Sequence, residues 1–255
     1  MISLREKEIF RYLGYHGVKP TLPVRQRVEA CVLELQKTAQ PKTVSLRFPL
    51  LWDKENPSVV HIAGMSIVSR DLAGNLAGCQ EAFLFAATIG PGPDRLIRRA
   101  ELSHMADAAI YQAASSEMIE AVCRKENEAL RLAVEKNGMY LRPRYSPGYG
   151  DCPLDVQKGF SSVLNLPKTI GVFLTDSLLM TPSKSVTAFI GISRTSQQAR
   201  KGGKTNNHTC ISCPMADCLY REENDFVFGS EDTETAKLSS EHIERAYKTS
   251  FCEEG

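Results

Sequence analysis

The stretch CQEAFLFAATIG, residues 79–90, is a continuous apolar run after Gln80 and Glu81, and it ends at Gly90-Pro91-Gly92-Pro93. Such a run, closed by Gly and Pro, reads as a buried strand stopped by a turn. Its strongly apolar part, Ala82 to Ile89, is far short of the roughly 20 residues that span a bilayer, so no membrane partner is expected. Upstream, Thr43 to Leu50 and Ser58 to Val68 are β-rich and are split by Asp53-Lys54-Glu55-Asn56-Pro57. They predict a hairpin with a loop, and alternation of Val44, Leu46 and Phe48 predicts a strand with one buried face. Further upstream, Ile9 and Leu13, then Val28, Val32 and Leu35 beyond a Gly/Pro break, predict two short helices within residues 1–40. Downstream, a helix starts at Asp94. From Ser103 to Asn137 there is no Pro or Gly, and Ala106, Ile110, Ala113, Ala114, Met118, Ala121 and Leu130 recur at helical spacing. This predicts the longest helix, closed by a left-handed cap at Gly138.

After Gly138 comes a loop rich in Pro, Gly and Tyr, LRPRYSPGYGDCPLD, residues 141–155. A short helix is expected over Val156 to Leu164, and strands over Ile170 to Leu174 and Ser185 to Ile192, with Pro182 between them. The pattern is that of an α/β (α+β) domain over 1–193, followed by a Cys-rich, flexible tail over 194–255 with a last helix at Thr233 to Thr249. No internal repeat is present.

The 255 residues carry 31 Lys+Arg against 30 Asp+Glu, with 42% hydrophobic residues. That composition supports a packed core. It gives no global attraction for nucleic acid or an anionic membrane. The balance conceals a contrast: Lys184 to Lys204 has five basic and no acidic residues, whereas Asp217 to the end has eleven acidic against four basic. The opening MISLREKEIF has charges where a secretory signal would have its apolar run, so a cytoplasmic protein is expected. There, clustered cysteines more often bind metal or do redox chemistry than form disulfides.

His208-Thr-Cys210-Ile-Ser-Cys213-Pro-Met-Ala-Asp-Cys218 places three thiols and an imidazole within eleven residues. A Cys-x-x-Cys pair lets two thiolates reach one metal from a tight turn, and Cys218 adds a third ligand. His208, Cys252 or Cys152 would supply the fourth, and zinc and an iron–sulfur cluster both suit the set. Cys31, Cys79 and Cys123 fall in apolar patterns that predict core packing. Lys201-Gly-Gly-Lys204-Thr205 imitates a phosphate-binding loop but has Gln198 where that motif needs Gly.

In the 142–155 loop, Arg144 offers a planar fork for a carboxylate or phosphate. Tyr149 supplies a phenol, and Gly148 permits close backbone approach. Glu117 lies among Ala113, Ala114, Ser115 and Ser116, a small-residue stretch where a helix can be approached closely.

The segment Arg144-Tyr-Ser-Pro-Gly-Tyr149-Gly-Asp-Cys152-Pro resembles the Arg-Pro-x-Pro-Gly-Tyr-x-x-Cys-Pro signature of the activation domain of cobalamin-dependent methionine synthase. The run Ile170-Gly-Val-x-Leu-Thr175-Asp-Ser177-x-x-Met180-x-Pro182 is similar to that family's Gly-x-x-Leu-Thr-Glu-Ser-x-x-Met-x-Pro, and Ser185-Val186 to its Ser-Val strand. The N-terminal hundred residues and the Cys cluster look more like free-standing versions of the domain. The resemblance implies a twisted, mainly antiparallel sheet flanked by helices, with S-adenosylmethionine bound on a concave face. It implies an activation subunit that supports reductive remethylation of cob(II)alamin (vitamin B12) held by a methionine synthase or related corrinoid partner, with flavodoxin or ferredoxin as electron donor.

On that resemblance, Arg144 binds the ligand carboxylate, and Tyr145, Ser146, Pro147 and Gly148 hold the adenosyl part. Tyr149 faces the corrin and the transferring methyl, and Glu117 serves the sulfonium region or a cobalt-bound water. Asp53, after Trp52, is the candidate for the ligand ammonium. The alternatives are an iron–sulfur redox activator of another corrinoid methyltransferase protein and a non-enzymatic, zinc-stapled interaction module.

Overall fold

The structure, a computed structural model, describes residues 2–15 and 18–195. In chain order the elements are α1 (Glu6–Tyr12), α2 (Leu22–Thr38), β1 (Lys42–Trp52), β2 (Val59–Ile62), β3 (Met65–Val68), α3 (Arg70–Leu76), β4 (Cys79–Thr88) and α4 (Gly92–Ser103). There follow α5 (Met105–Glu135), β5 (Tyr140–Leu141), α6 (Val156–Val163), α7 (Leu166–Thr169), β6 (Phe173–Leu174), β7 (Met180–Thr181) and β8 (Ser185–Ser193).

Six strands form one sheet in the order β3-β2-β1-β4-β8-β5, with every neighbouring pair antiparallel. The expected mixed fold with a mainly antiparallel sheet is therefore present. β4 lies at its centre, and its apolar run follows from burial on both faces. Phe83, Phe85 and Ala87 enter a cluster built with α1, α2, α4 and α5. Ala82, Leu84 and Ala86 enter a second cluster with β2, β3, α3, α6 and α7. Successive strand residues point to opposite faces, so one strand anchors both cores. Among the described residues no helix is long and apolar enough to cross a membrane.

Several local expectations need correction. The run Ser58 to Val68 is two strands, because Ala63 (φ 50°) and Gly64 (φ 79°) make a tight turn inside it. The second N-terminal helix has 17 residues and is not short. The break at His104 (φ −145°, ψ 89°) ends α4 and α5 starts at Met105; Ala106, in its first turn, is exposed although it matches the helical stripe. Leu46, placed on a buried face by alternation, is 44% exposed, whereas Leu50 in the same strand is buried. The strand expected over Ile170 to Leu174 shrinks to Phe173–Leu174, paired with Met180–Thr181 in a separate ribbon; Ile170 and Val172 are core residues beside α7.

α3 carries no expectation from the sequence, yet its signal is present: the Ser69 side chain accepts from Leu72 N–H as an N-cap, and Leu72, Ala73 and Leu76 are buried behind it. Gly138 does take the left-handed conformation (φ 67°) just past α5. Cys31, Cys79 and Cys123 are buried, as their patterns predict. Cys210, Cys213, Cys218, His208, Cys252 and the Thr233 to Thr249 helix lie outside the described residues. Among the described residues no group of three or more His, Cys, Asp or Glu is placed to hold a metal. Cys152, a candidate fourth ligand, is 3% exposed, and burial pushes its thiol up to about 11.

Candidate functional site

The loop after β5 is pinned at both ends to the rest of the fold. Arg142 N–H donates to Gly191 C=O (2.8 Å), and Tyr145 and Phe189 exchange both backbone hydrogen bonds (2.9 and 2.8 Å). Within the loop, Gly148 N–H donates to Cys152 C=O (3.0 Å), Cys152 N–H to Tyr149 C=O (3.0 Å), and the Tyr145 hydroxyl to Tyr149 C=O (2.9 Å). Asp151 then closes onto the start of α3, accepting from the Ser69 hydroxyl (2.5 Å), Arg70 N–H (2.9 Å) and Asp71 N–H (3.1 Å). The Ser69 bond, with those two backbone donors, holds its carboxyl below the ordinary range. Gly150 cannot be replaced cheaply there: it has φ 53°, and a Cβ would lie 2.2 Å from Asp71 Oδ2.

A cleft of about 420 Å³ opens where this loop leaves the edge of β8. Arg144, Tyr145, Ser146, Pro147 and Tyr149 all line it, so the structure brings together five of the residues read from the signature loop. Gly148 supports the turn through its positive φ of 87° and its hydrogen bond to Cys152. The remaining walls are Glu120 from α5, Gln157 from α6, Met180 from β7 and Ser185 to Thr187 from β8. Met180, Ser185 and Val186 belong to the matched sequence run but had no role assigned from it.

The charged feature of the cleft is a pair. Arg144 Nη2 donates to Glu120 Oε2 at 2.7 Å, and the two side chains keep 25% and 36% of their exposure. Neither is sealed, so both can meet a ligand. Tyr149 is 69% exposed at the rim.

Glu117 is not brought into the cleft. It is 1% exposed, accepts from Arg5 N–H at 3.0 Å and forms an ion pair with Arg124. Its carboxylate joins the N-terminal segment to α5, and the carboxylate that lines the cleft is that of Glu120, three residues on. Nothing in sequence spacing links Glu120 to Arg144, 24 residues away; only the packing of the loop across α5 does. Asp53 is also elsewhere: it caps its own turn by accepting from Glu55 N–H (2.8 Å) and Asn56 N–H (2.7 Å), the latter chiefly lowering its pKa. A second cleft, about 470 Å³ and lined by Arg47, Glu81, Met139 and Arg194 among others, contains none of the candidate site residues read from the sequence.

Residues 94–206 match the family described as vitamin B12 dependent methionine synthase, activation domain. No curated protein sequence matches the chain. The crystal structure of the MetH reactivation domain bound to AdoHcy shares this fold, with a TM-score of 0.57 at 19% identity over 76% of this chain and 75% of that one. The cleft and its loop lie within the matched segment. The resemblance carried by the signature loop thus holds: residues 94–206 are similar in sequence, and three quarters of the chain is similar in fold, to the activation domain of vitamin B12 dependent methionine synthase.

Proposed function

We propose that this chain is a free-standing activation subunit that binds S-adenosylmethionine in the Arg144–Glu120 cleft and supports reductive remethylation of cob(II)alamin on a methionine synthase or related corrinoid protein. The observation that carries the reading is the half-open Arg144–Glu120 pair in a cleft lined by the signature loop. The ligand's amino-acid end is a zwitterion, and the pair matches it charge for charge: the guanidinium fork suits the carboxylate and Glu120 the ammonium. The AdoHcy bound to the structurally similar MetH reactivation domain supports the same ligand class. When bound, S-adenosylmethionine supplies an electrophilic methyl group on a sulfonium.

The chain's own residues hold and present that ligand. The tethers from Tyr145 to Phe189 and from Asp151 to α3 keep the loop rigid, so little order has to be gained on binding. Tyr149 stands at the rim, where the face of a corrinoid partner would approach. Electrons come from outside the chain, with flavodoxin or ferredoxin as donor in this reading, which also assigns the protein to the cytoplasm.

Calorimetry with S-adenosylmethionine tests the cleft. Arg144→Ala is expected to cost about 1.5–3 kcal/mol, a loss of roughly ten- to hundredfold in affinity. Equal affinity for both proteins sinks the assignment. The reading extends to Cys210, Cys213, Cys218 and His208 as a ligand set for zinc or an iron–sulfur cluster. Stoichiometric zinc in colourless protein identifies the first, visible absorption bleached by dithionite the second, and absence of both from anaerobically purified protein ends this part of the proposal.

A further inference from the structure

Two side chains of the cleft are buried yet leave hydrogen-bonding atoms unused. Gln157, 6% exposed on α6, has no partner for Oε1, and Thr187, 2% exposed on β8, has none for Oγ1. Of the six such atoms among the described residues, these are the two whose residues line the cleft. Burying a polar atom without a partner destabilises a fold, so its presence in a cleft points to a partner that arrives with the ligand.

The backbone of Thr187 points to the same space. Phe189 gives both its backbone groups to Tyr145, and Gly191 gives its carbonyl to Arg142. In an antiparallel ladder, residues two apart turn their N–H and C=O to the same edge. Thr187 therefore turns both toward the free edge of β8, beyond the point where the loop leaves it.

We infer that Gln157 and Thr187 set the specificity of the cleft by hydrogen-bonding the edge of an aminopurine nucleoside, the half of the ligand that the Arg144–Glu120 clamp does not touch. This rests on the ligand reading proposed above. A carboxamide presents a neutral donor beside a neutral acceptor, as does the free edge of a strand. The edge of an aminopurine offers the complement, an exocyclic amine beside a ring nitrogen, and a Gln amide meets that pattern with two hydrogen bonds. Neutral groups suit this end because the ring carries no charge to offset a buried one. A site whose buried polar atoms are filled only by the right ligand discriminates strongly against one lacking the partner atoms.

The test is calorimetry with S-adenosylhomocysteine and its 6-oxo counterpart, S-inosylhomocysteine, on the wild type, Gln157→Met and Thr187→Val, with thermal melting of each free protein. The wild type is expected to prefer the amino ligand by at least about tenfold. Gln157→Met brings that ratio to within about twofold of unity, and Thr187→Val weakens the amino ligand by about three- to tenfold. Both free variants melt at or above the wild-type temperature, because each loses an unsatisfied buried atom. Variants that keep wild-type affinity and discrimination overturn the inference, as do variants that melt well below the wild type, which would show that these atoms serve the fold. Wild type that binds neither ligand is a different result, and it overturns the ligand reading of the cleft itself.

Discussion

Glu117 and Glu120 stand one turn apart on α5 in opposite surroundings. Glu117 is sealed: its charge is met inside the fold by Arg124 and by Arg5 N–H, and it has 1% exposure. Glu120 pairs with Arg144 across an open cleft, and water reaches both partners. A sealed pair contributes to placing elements, because breaking it strands a charge away from water. A half-open pair contributes little to stability, since either partner can be rehydrated, and for that reason it can exchange its partner for a ligand. One helix thus carries a buried carboxylate and a cleft-lining one three residues apart.

The comparison can be broken most severely from the alkaline side. Burial pushes Cys31 and Cys152 up to about 11 and Cys123 up to about 12, from an ordinary value of 9.0. The folded state keeps these protons when the unfolded chain releases them. Stability is therefore full below pH 9 and falls as pH rises toward 11 to 12, with a limiting slope of about 1.4 kcal/mol per pH unit for each thiol. Guanidinium titrations at pH 8, 9 and 10 under reducing conditions measure it, and a flat profile would mean that the interior is not sealed.

The next effect is that of Glu117→Ala, which should destabilise by about 2–3 kcal/mol. That is less than for a fully buried pair, because Arg124 keeps 33% of its exposure. Ligand affinity should stay within about twofold, and a larger loss would put Glu117 back into the site. Arg144→Ala is the mirror case. Its expected binding loss comes with less than about 1 kcal/mol in unfolding free energy, because a pair that water still reaches on both sides adds little to stability. A variant that unfolds as easily as Glu117→Ala would erase the distinction. Smallest is Glu120→Gln: about 1 kcal/mol of binding, or roughly fivefold, for S-adenosylhomocysteine. The same substitution should leave a deamino analogue unaffected, and equal losses for both ligands would remove the ammonium from Glu120.

Much of the site's chemistry was legible as sequence because it is local. Arg144, Tyr145, Ser146, Pro147 and Tyr149 sit in one irregular loop, and that loop is one wall of the cleft. The other walls come from α5, α6, β7 and β8, and no spacing rule joins Glu120, Gln157 and Thr187 to it. Glu117 shows the limit sharply. Its small-residue neighbourhood did signal close approach, but what approaches is the N-terminal segment, through Arg5.

The amino-acid order by itself determined which segments could form elements and which could not. An apolar run closed by Gly and Pro is strand 79–88, a Gly- and Pro-free amphipathic stretch is helix 105–135, and a Pro/Gly/Tyr-rich stretch is loop. These follow from backbone sterics and periodicity, which act over a few residues. Tertiary structure alone decided which of two neighbouring glutamates faces solvent and which faces the core. It also decided which edge of β8 stays unpaired beyond Tyr145 and, among the described residues, which buried polar atoms are left without partners. Those outcomes depend on packing between segments far apart in the chain, where one turn of helix or one residue of strand register exchanges a sealed position for an open one.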